Sequence, residues 1–122
     1  MSFVDKTEML NETLDAAIRE FTPIDGDWRP LENQIELSFS SSDPSLYYHA
    51  MFSLFERFPE DDGSGVFWSA LHGMEAVGGY ESLLLHYHRR WPNLMTNTML
   101  RRMLNAGERN IGDVAIAALL ST

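Results

Sequence analysis

Apolar side chains recur three and four positions apart along most of this chain, which is the spacing of one face of an α-helix. Residues 4–21 show the pattern first, with acidic side chains on the other faces, and Pro23 ends the predicted helix. Asp43 and Pro44 then supply an N-cap acid and a proline for a first helical turn, and an apolar stripe follows as far as Phe58. Both segments are therefore predicted to be helical.

The second half of the chain predicts four more helices, over residues 64–77, 80–91, 94–106 and 114–120. Asn93 and Asp113 are the predicted N-caps of the last two. Residues 28–42 are ambiguous. They fit a short helix with Pro30 in its first turn, but apolar and polar residues also alternate over 35–39 as in a strand. The helix is favoured.

Two similar units of helix, proline stop, helix and glycine stop follow each other at an offset of 33 residues. Residues 57–59 (Arg-Phe-Pro) fall on residues 90–92 (Arg-Trp-Pro), and Phe67 falls on Leu100. Such a repeat is typical of stacked helical hairpins. The sequence therefore predicts an all-α fold, a short HEAT-like α-solenoid of stacked hairpins in one domain over residues 1–122, with an irregular helix bundle as the alternative.

The negative charge is concentrated in the first half of the chain. The net charge is −9, yet residues 1–63 contain 14 acids and 4 bases, whereas residues 64–122 contain 4 acids and 5 bases. A surface of this sign repels nucleic acid and anionic lipid, so neither is an expected partner. It attracts a basic protein, or it serves solubility alone.

Three consecutive acids, Glu60, Asp61 and Asp62, lie between a proline stop and the next helix. The loop turns the chain and displays negative charge near the positive end of a helix dipole. Clustered carboxylates also suit calcium, but the alternate spacing of an EF-hand loop is missing. The two readings left open are a solvated acidic loop and a contact surface for a basic partner.

Histidines and acids give only a weak metal signal. His72 and Glu75 are three apart and share a helix face, but a metal site needs at least one more ligand. His86 and His88 are two apart and lie on different sides of a helix, so surface or hydrogen-bonded histidines are favoured. The chain has no cysteine. We expect no catalytic residues, metal or cofactor, and a small metal-dependent enzyme ranks as a third hypothesis.

Aromatic residues flank the acidic loop. Tyr47 and Tyr48 are adjacent on one predicted helix, so we expect that only one of them points inward. Trp68 is a further candidate for exposure. Exposed aromatics beside acids are typical anchors of a protein–protein interface.

The stretch FPEDDGSGVFWSALHGME at residues 58–75, followed by Gly-Tyr-Glu at 79–81, resembles a group of small bacterial immunity proteins. These are encoded beside secreted polymorphic or contact-dependent growth-inhibition toxins. The resemblance continues more loosely through residues 89–92 and 99–106, and residues 1–42 carry little of it. It implies an all-helical cytoplasmic protein, not an enzyme, that binds one cognate toxin domain and blocks it.

The toxins of such systems are often nucleases, whose active sites are basic because they hold phosphate. An acidic inhibitor is complementary to such a site and is steered to it. The predicted contacts with the toxin are Asp43, Tyr47, Glu56, Glu60, Asp61, Asp62, Trp68, His72 and Glu75.

The alternative function is a HEAT-like helical adaptor module that binds another protein. The first residues lack the layout of a signal peptide and no apolar run has the length of a membrane span, so we expect a cytoplasmic location and no membrane partner. The sequence leaves the oligomeric state open.

Overall fold

The computed structural model describes the backbone of residues 6–120 and the side chains of residues 12–120. Over this range the chain forms seven α-helices, one 3-10 turn and a short β-hairpin, so the predicted all-α fold is confirmed. The helices are α1 (Lys6–Arg19), α2 (Arg29–Phe39), α3 (Tyr48–Arg57), α4 (Val66–Val77), α5 (Glu81–Arg90), α6 (Leu94–Asn105) and α7 (Ile116–Leu120). The 3-10 turn is Pro44–Tyr47, and the strands are β1 (Asn110–Ile111) and β2 (Val114–Ala115).

The first six helices form three hairpins, α1–α2, α3–α4 and α5–α6, that stack in two layers. In one layer α3 contacts both α1 and α5, and in the other α4 contacts both α2 and α6. Within each hairpin the two helices also contact each other. This order of contacts is that of stacked helical hairpins, as the sequence repeat predicts.

The repeat is exact in the first layer and displaced in the second. Shifted by 33 residues, α3 coincides with α5, and both helices have ten residues. The buried positions of α4 coincide with those of α6 at a shift of 29 residues, so that Val66 matches Met95 and Met74 matches Met103. The predicted match of Phe67 with Leu100 is therefore wrong by one helical turn. A four-residue shift leaves a buried stripe on the same face, which is why the error is invisible in the sequence.

The core is centred on α3, which buries a broad apolar face and leaves His49 and Arg57 exposed. Its buried residues and those of the preceding turn are Tyr47, Tyr48, Ala50, Met51, Phe52, Leu54 and Phe55. The expectation that only one tyrosine points inward is wrong, since both are 1 % exposed. The chain passes from a 3-10 turn to an α-helix between them, and neighbouring helices surround this helix. The Tyr48 hydroxyl donates to the Gly78 carbonyl at 2.8 Å.

Several predicted helix boundaries are confirmed. Residues 29–39 are helical with Pro30 in the first turn, which settles the ambiguous segment in favour of the helix. Asn93 caps α6 through a reciprocal capping box with Thr96. Asp43 caps the 3-10 turn and not an α-helix, its carboxylate accepting from the Ser45 N–H at 3.2 Å. The predicted start of the first helix at Val4 lies outside the described residues.

The predicted N-cap role of Asp113 is wrong. Residues 110–115 form a β-hairpin in which Ile111 pairs with Val114 across Gly112 and Asp113, and α7 begins only at Ile116. Gly112 has a φ of 58°, as the first position of a two-residue hairpin turn requires. A Gly-Asp pair between apolar residues was the signal for this turn.

We predict that Gly73→Ala destabilises the fold by about 1–3 kcal/mol, because a methyl group on Gly73 would overlap the ring of Phe39 where α2 crosses α4. Urea denaturation followed by circular dichroism measures the change. Phe39→Leu makes room for the methyl group, so Gly73→Ala should cost less stability in a Phe39→Leu background than in the wild type. Wild-type stability in Gly73→Ala would contradict the close approach of the two helices.

We also predict a loss of stability between about pH 10 and pH 12. Burial is the largest cause that raises the pKa of Tyr80 from 10.0 to about 12, so the folded chain retains a phenol proton that the unfolded chain has released. Unfolding then releases a proton, and the free energy of unfolding falls as the pH rises through this window. Urea titrations at pH 9 and pH 11 measure it, and Tyr80→Phe should show a smaller fall. An equal fall in that variant would contradict the assignment.

Candidate functional site

The predicted contact residues do not form one surface. Asp43 and Tyr47 precede α3, whose first residue bonds to the end of α4, so they lie at the opposite end of the α3–α4 hairpin from the acidic loop. Asp43 is exposed, and its carboxylate accepts from the Ser45 hydroxyl at 2.5 Å. Tyr47 is buried in the core, so its predicted role as a surface contact is wrong.

The acidic loop between α3 and α4 is held by its own hydrogen bonds. The Asp61 carboxylate accepts from the Gly63 N–H at 2.8 Å. The backbone carbonyl of Asp62 accepts from the N–H groups of Gly65 and Phe67 at 3.1 Å each. A carbonyl, and not the carboxylates that the sequence suggested, therefore accepts from N–H groups at the start of α4. Because the loop is fixed, the exposed carboxylates of Glu60 and Asp61 have a defined position at the end of α3.

A groove of about 530 Å³ separates this loop from the start of α6. The N–H of Leu94 donates to the Pro59 carbonyl at 2.7 Å and ties the two sides together. Two apolar side chains are displayed there, Trp91 at 58 % and Leu94 at 43 % exposure. We call this the Trp91 groove; it is lined by Pro59, Glu60, Trp91, Pro92, Asn93, Leu94 and Asn97.

The exposure of Trp91 follows from the stacking of the hairpins. One hairpin earlier, Phe58 holds the same position after α3, and the ring of Trp28 covers it at a centroid distance of 5.1 Å. Trp28 is the N-cap of α2, and the corresponding N-cap of α4 is Gly65. No aromatic ring among the described residues packs on Trp91 in the way that Trp28 packs on Phe58.

Beside the Trp91 groove, Trp91 borders a smaller depression with Glu56, Arg57 and Arg90. The Glu56 side chain is 16 % exposed, and its Oε1 lies 3.1 Å from Arg90 Nε. The geometry is that of an ion pair without a hydrogen bond, since this buried oxygen accepts none from the described residues. Arg57 is held by hydrogen bonds to the Arg19 carbonyl and, at 3.0 Å, to the Thr22 hydroxyl.

The remaining predicted contacts, Trp68, His72 and Glu75, lie together on α4. Arg102 of α6 donates two hydrogen bonds to the Glu75 carboxylate, at 2.8 and 2.9 Å, and its guanidinium carbon lies 5.9 Å from the centre of the Trp68 ring. The ring of His72 lies 5.7 Å from that of Trp68, and its Nδ1 is 3.6 Å from a Glu75 oxygen. We call these four residues the α4 cluster. It joins the second and third hairpins.

Sequence reasoning missed Trp91, Leu94 and Arg102 as members of these surfaces. Trp91 was identified only as the counterpart of Phe58 in the repeat. Arg102 pairs with Glu75, 27 residues away, and a pairing over that distance leaves no local sequence signal. A missing counterpart of Trp28 was the one available signal for the exposure of Trp91.

Neither a metal centre nor a membrane span is found in the described part of the chain. Within it, no three histidine or acidic side chains come together in a way that would hold a metal ion. None of its helices combines the length and apolar character needed to cross a bilayer. Comparison with known proteins finds no matching protein family, no similar curated protein and no similar solved structure.

We predict that the Glu75–Arg102 pair stabilises the fold at neutral pH and loses this effect in acid. The hydrogen bonds from Arg102 are the largest cause that lowers the pKa of Glu75 from 4.5, so the stabilisation is present above pH 4.5 and is lost as the pH falls through the lowered pKa. A double-mutant cycle with Glu75→Gln and Arg102→Met should give a coupling energy of about 0.5–1 kcal/mol at pH 7, since both groups are partly exposed. An equal coupling energy at pH 2.5 would contradict the pairing.

Proposed function

We propose that this chain is an immunity protein that binds and neutralises a cognate secreted bacterial toxin domain in the cytoplasm. It binds a basic surface of the toxin. The resemblance suggests a nuclease active site, which is basic because it holds phosphate. The chain acts by occupying its partner and not by chemistry of its own.

The observation that carries this proposal is the Trp91 groove. It combines an exposed tryptophan and leucine with the exposed acid Glu60 at one end of the hairpin stack, and the exposed acid Asp61 borders the adjoining depression. An exposed apolar patch rimmed by polar residues is typical of a protein interaction site. Apolar anchors with a charged rim are the usual composition of a protein–protein interface.

The charge distribution supports a basic partner. The excess of acids in residues 1–63 extends the negative field of the groove over the first half of the chain. A field of this kind accelerates the encounter with an oppositely charged protein. Glu60 and Asp61 are therefore assigned to steering and to rim ion pairs.

A HEAT-like adaptor module is the second candidate function, and the stack of three hairpins favours it. Stacked hairpins expose extended surfaces on which many kinds of protein bind. The same groove would then hold a segment of a protein that is not a toxin. The two candidates differ in whether the partner is lethal without this chain.

The deciding experiment is co-expression in bacteria with the toxin domain encoded immediately upstream of this chain. We expect the cells to survive and the two proteins to co-purify as a stable complex. A catalytically inactive toxin separates inhibition of toxicity from binding. Cell death despite soluble expression of this chain would reject the pairing and favour the adaptor function.

We predict that the double variant Glu60→Gln/Asp61→Asn slows association with the toxin by about 3- to 10-fold at low salt, because rim charges act on the on-rate. Asparagine retains the oxygen that accepts from Gly63, so the loop stays folded. Stopped-flow or surface binding kinetics measure the rate, and the difference should shrink at high salt. Glu36→Gln, at an exposed acid of α2, is the matched control. Unchanged on-rate and affinity would remove these acids from the interface.

A further inference from the structure

We infer that the Trp91 groove is built to receive one apolar side chain of the partner that is flanked by a lysine or arginine. The inference rests on the proposed function only for the identity of the partner. It concerns the chemistry of the segment that is bound, and it makes Trp91 and Leu94, not Trp68, the central anchors of this interface.

The floor of the groove supplies the apolar half of the recognition. Trp91 and Leu94 are exposed side by side, and Pro59 and Pro92 complete the lining. Two prolines and the hydrogen bond from Leu94 to Pro59 hold the lining in place. A preformed apolar groove loses little entropy when it is filled. An apolar side chain placed there therefore contributes nearly the full free energy of its burial to binding.

The rim of the groove supplies the charged half. Of the two nearby arginines, Arg90 is paired with Glu56. Arg57 bonds only neutral acceptors, the Arg19 carbonyl and the Thr22 hydroxyl, and keeps its positive charge outside the lining of the groove. No basic side chain among residues 12–120 forms an ion pair with Glu60 or Asp61. Of the residues that line the groove only Glu60 is charged, so the charge there is negative and the complementary group on the partner is a cation.

An exposed indole adds a preference for the same cation. A lysine or arginine beside an apolar anchor would come near both the rim carboxylates and the face of Trp91, and a cation over an indole is attracted by its quadrupole. An acidic segment or a nucleic acid is repelled by Glu60 and Asp61. The groove therefore distinguishes a basic–apolar segment from an acidic–apolar one.

Calorimetry with the purified inactive toxin domain tests the anchors. Trp91→Ala should weaken binding by ~30-fold or more, mostly through faster dissociation, and Leu94→Ala by ~10-fold. Leu37→Ala, at a leucine of α2 that is 60 % exposed, should change affinity by less than ~2-fold. If the toxin binds and Trp91→Ala binds it as tightly as the wild type, the inference is wrong while the proposed function stands.

A second probe tests the inference without any toxin. Four short blocked peptides of equal length carry leucine flanked by lysines, leucine flanked by glutamates, leucine flanked by serines, and alanine flanked by lysines. In ¹⁵N-correlated spectra the lysine–leucine peptide should shift the Trp91 indole resonance, assigned with Trp91→Phe, and the backbone amide resonance of Leu94. The other three should shift them by less than a third as much.

Equal shifts with the glutamate–leucine peptide, or none with any peptide, would overturn the inference. So would a dimer that Trp91→Ala converts to a monomer, since a second copy of the chain would then cover the groove. A toxin that fails to bind, together with the expected peptide response, would reject the proposed partner and leave the recognition chemistry in place.

Discussion

The whole fold depends on the burial of α3. This helix buries six of its ten residues, and its polar face, which carries His49 and Arg57, remains exposed. Its apolar face is too broad for one neighbour to cover, and α1, α4, α5 and α6 all contact it. Its one acid, Glu56, lies near the end of the helix, where Arg90 of the next hairpin meets it. Stacking in two layers follows from the need to cover the broad apolar face of this helix.

A structural feature could be predicted from the sequence where the residues that determine it lie close together along the chain. Helix positions and caps are local, and so Asn93 and Pro30 were placed correctly. The hairpin at Gly112 and Asp113 is also local, but its two-residue signal competed with an equally plausible helix cap. The register of α4 against α6 and the burial of Tyr47 are set by tertiary packing, which no local pattern encodes.

The residues of the candidate site also divide into those set by local sequence and those set by packing between hairpins. The exposure of Glu60 and Asp61 could be predicted, because both are charged and lie in a loop with a proline and glycines around them. The exposure of Trp91 depends on the preceding hairpin, which places no ring on it as Trp28 is placed on Phe58. A repeat makes such exposure predictable, because a position at which one unit differs from its neighbour can leave a residue of the next unit uncovered.

The hydrogen bond from Leu94 to Pro59 crosses between the second and third hairpins. The terminal unit is the third hairpin together with the β-hairpin and α7 that pack on it. In a stack of hairpins such a unit can separate from its neighbour in local fluctuations. The walls of the groove come from both units, and a ligand fits there only while the two are docked. Occupancy of the groove is therefore thermodynamically linked to closure of the terminal unit, and a bound partner would slow hydrogen exchange throughout the last hairpin, including amides that it never touches.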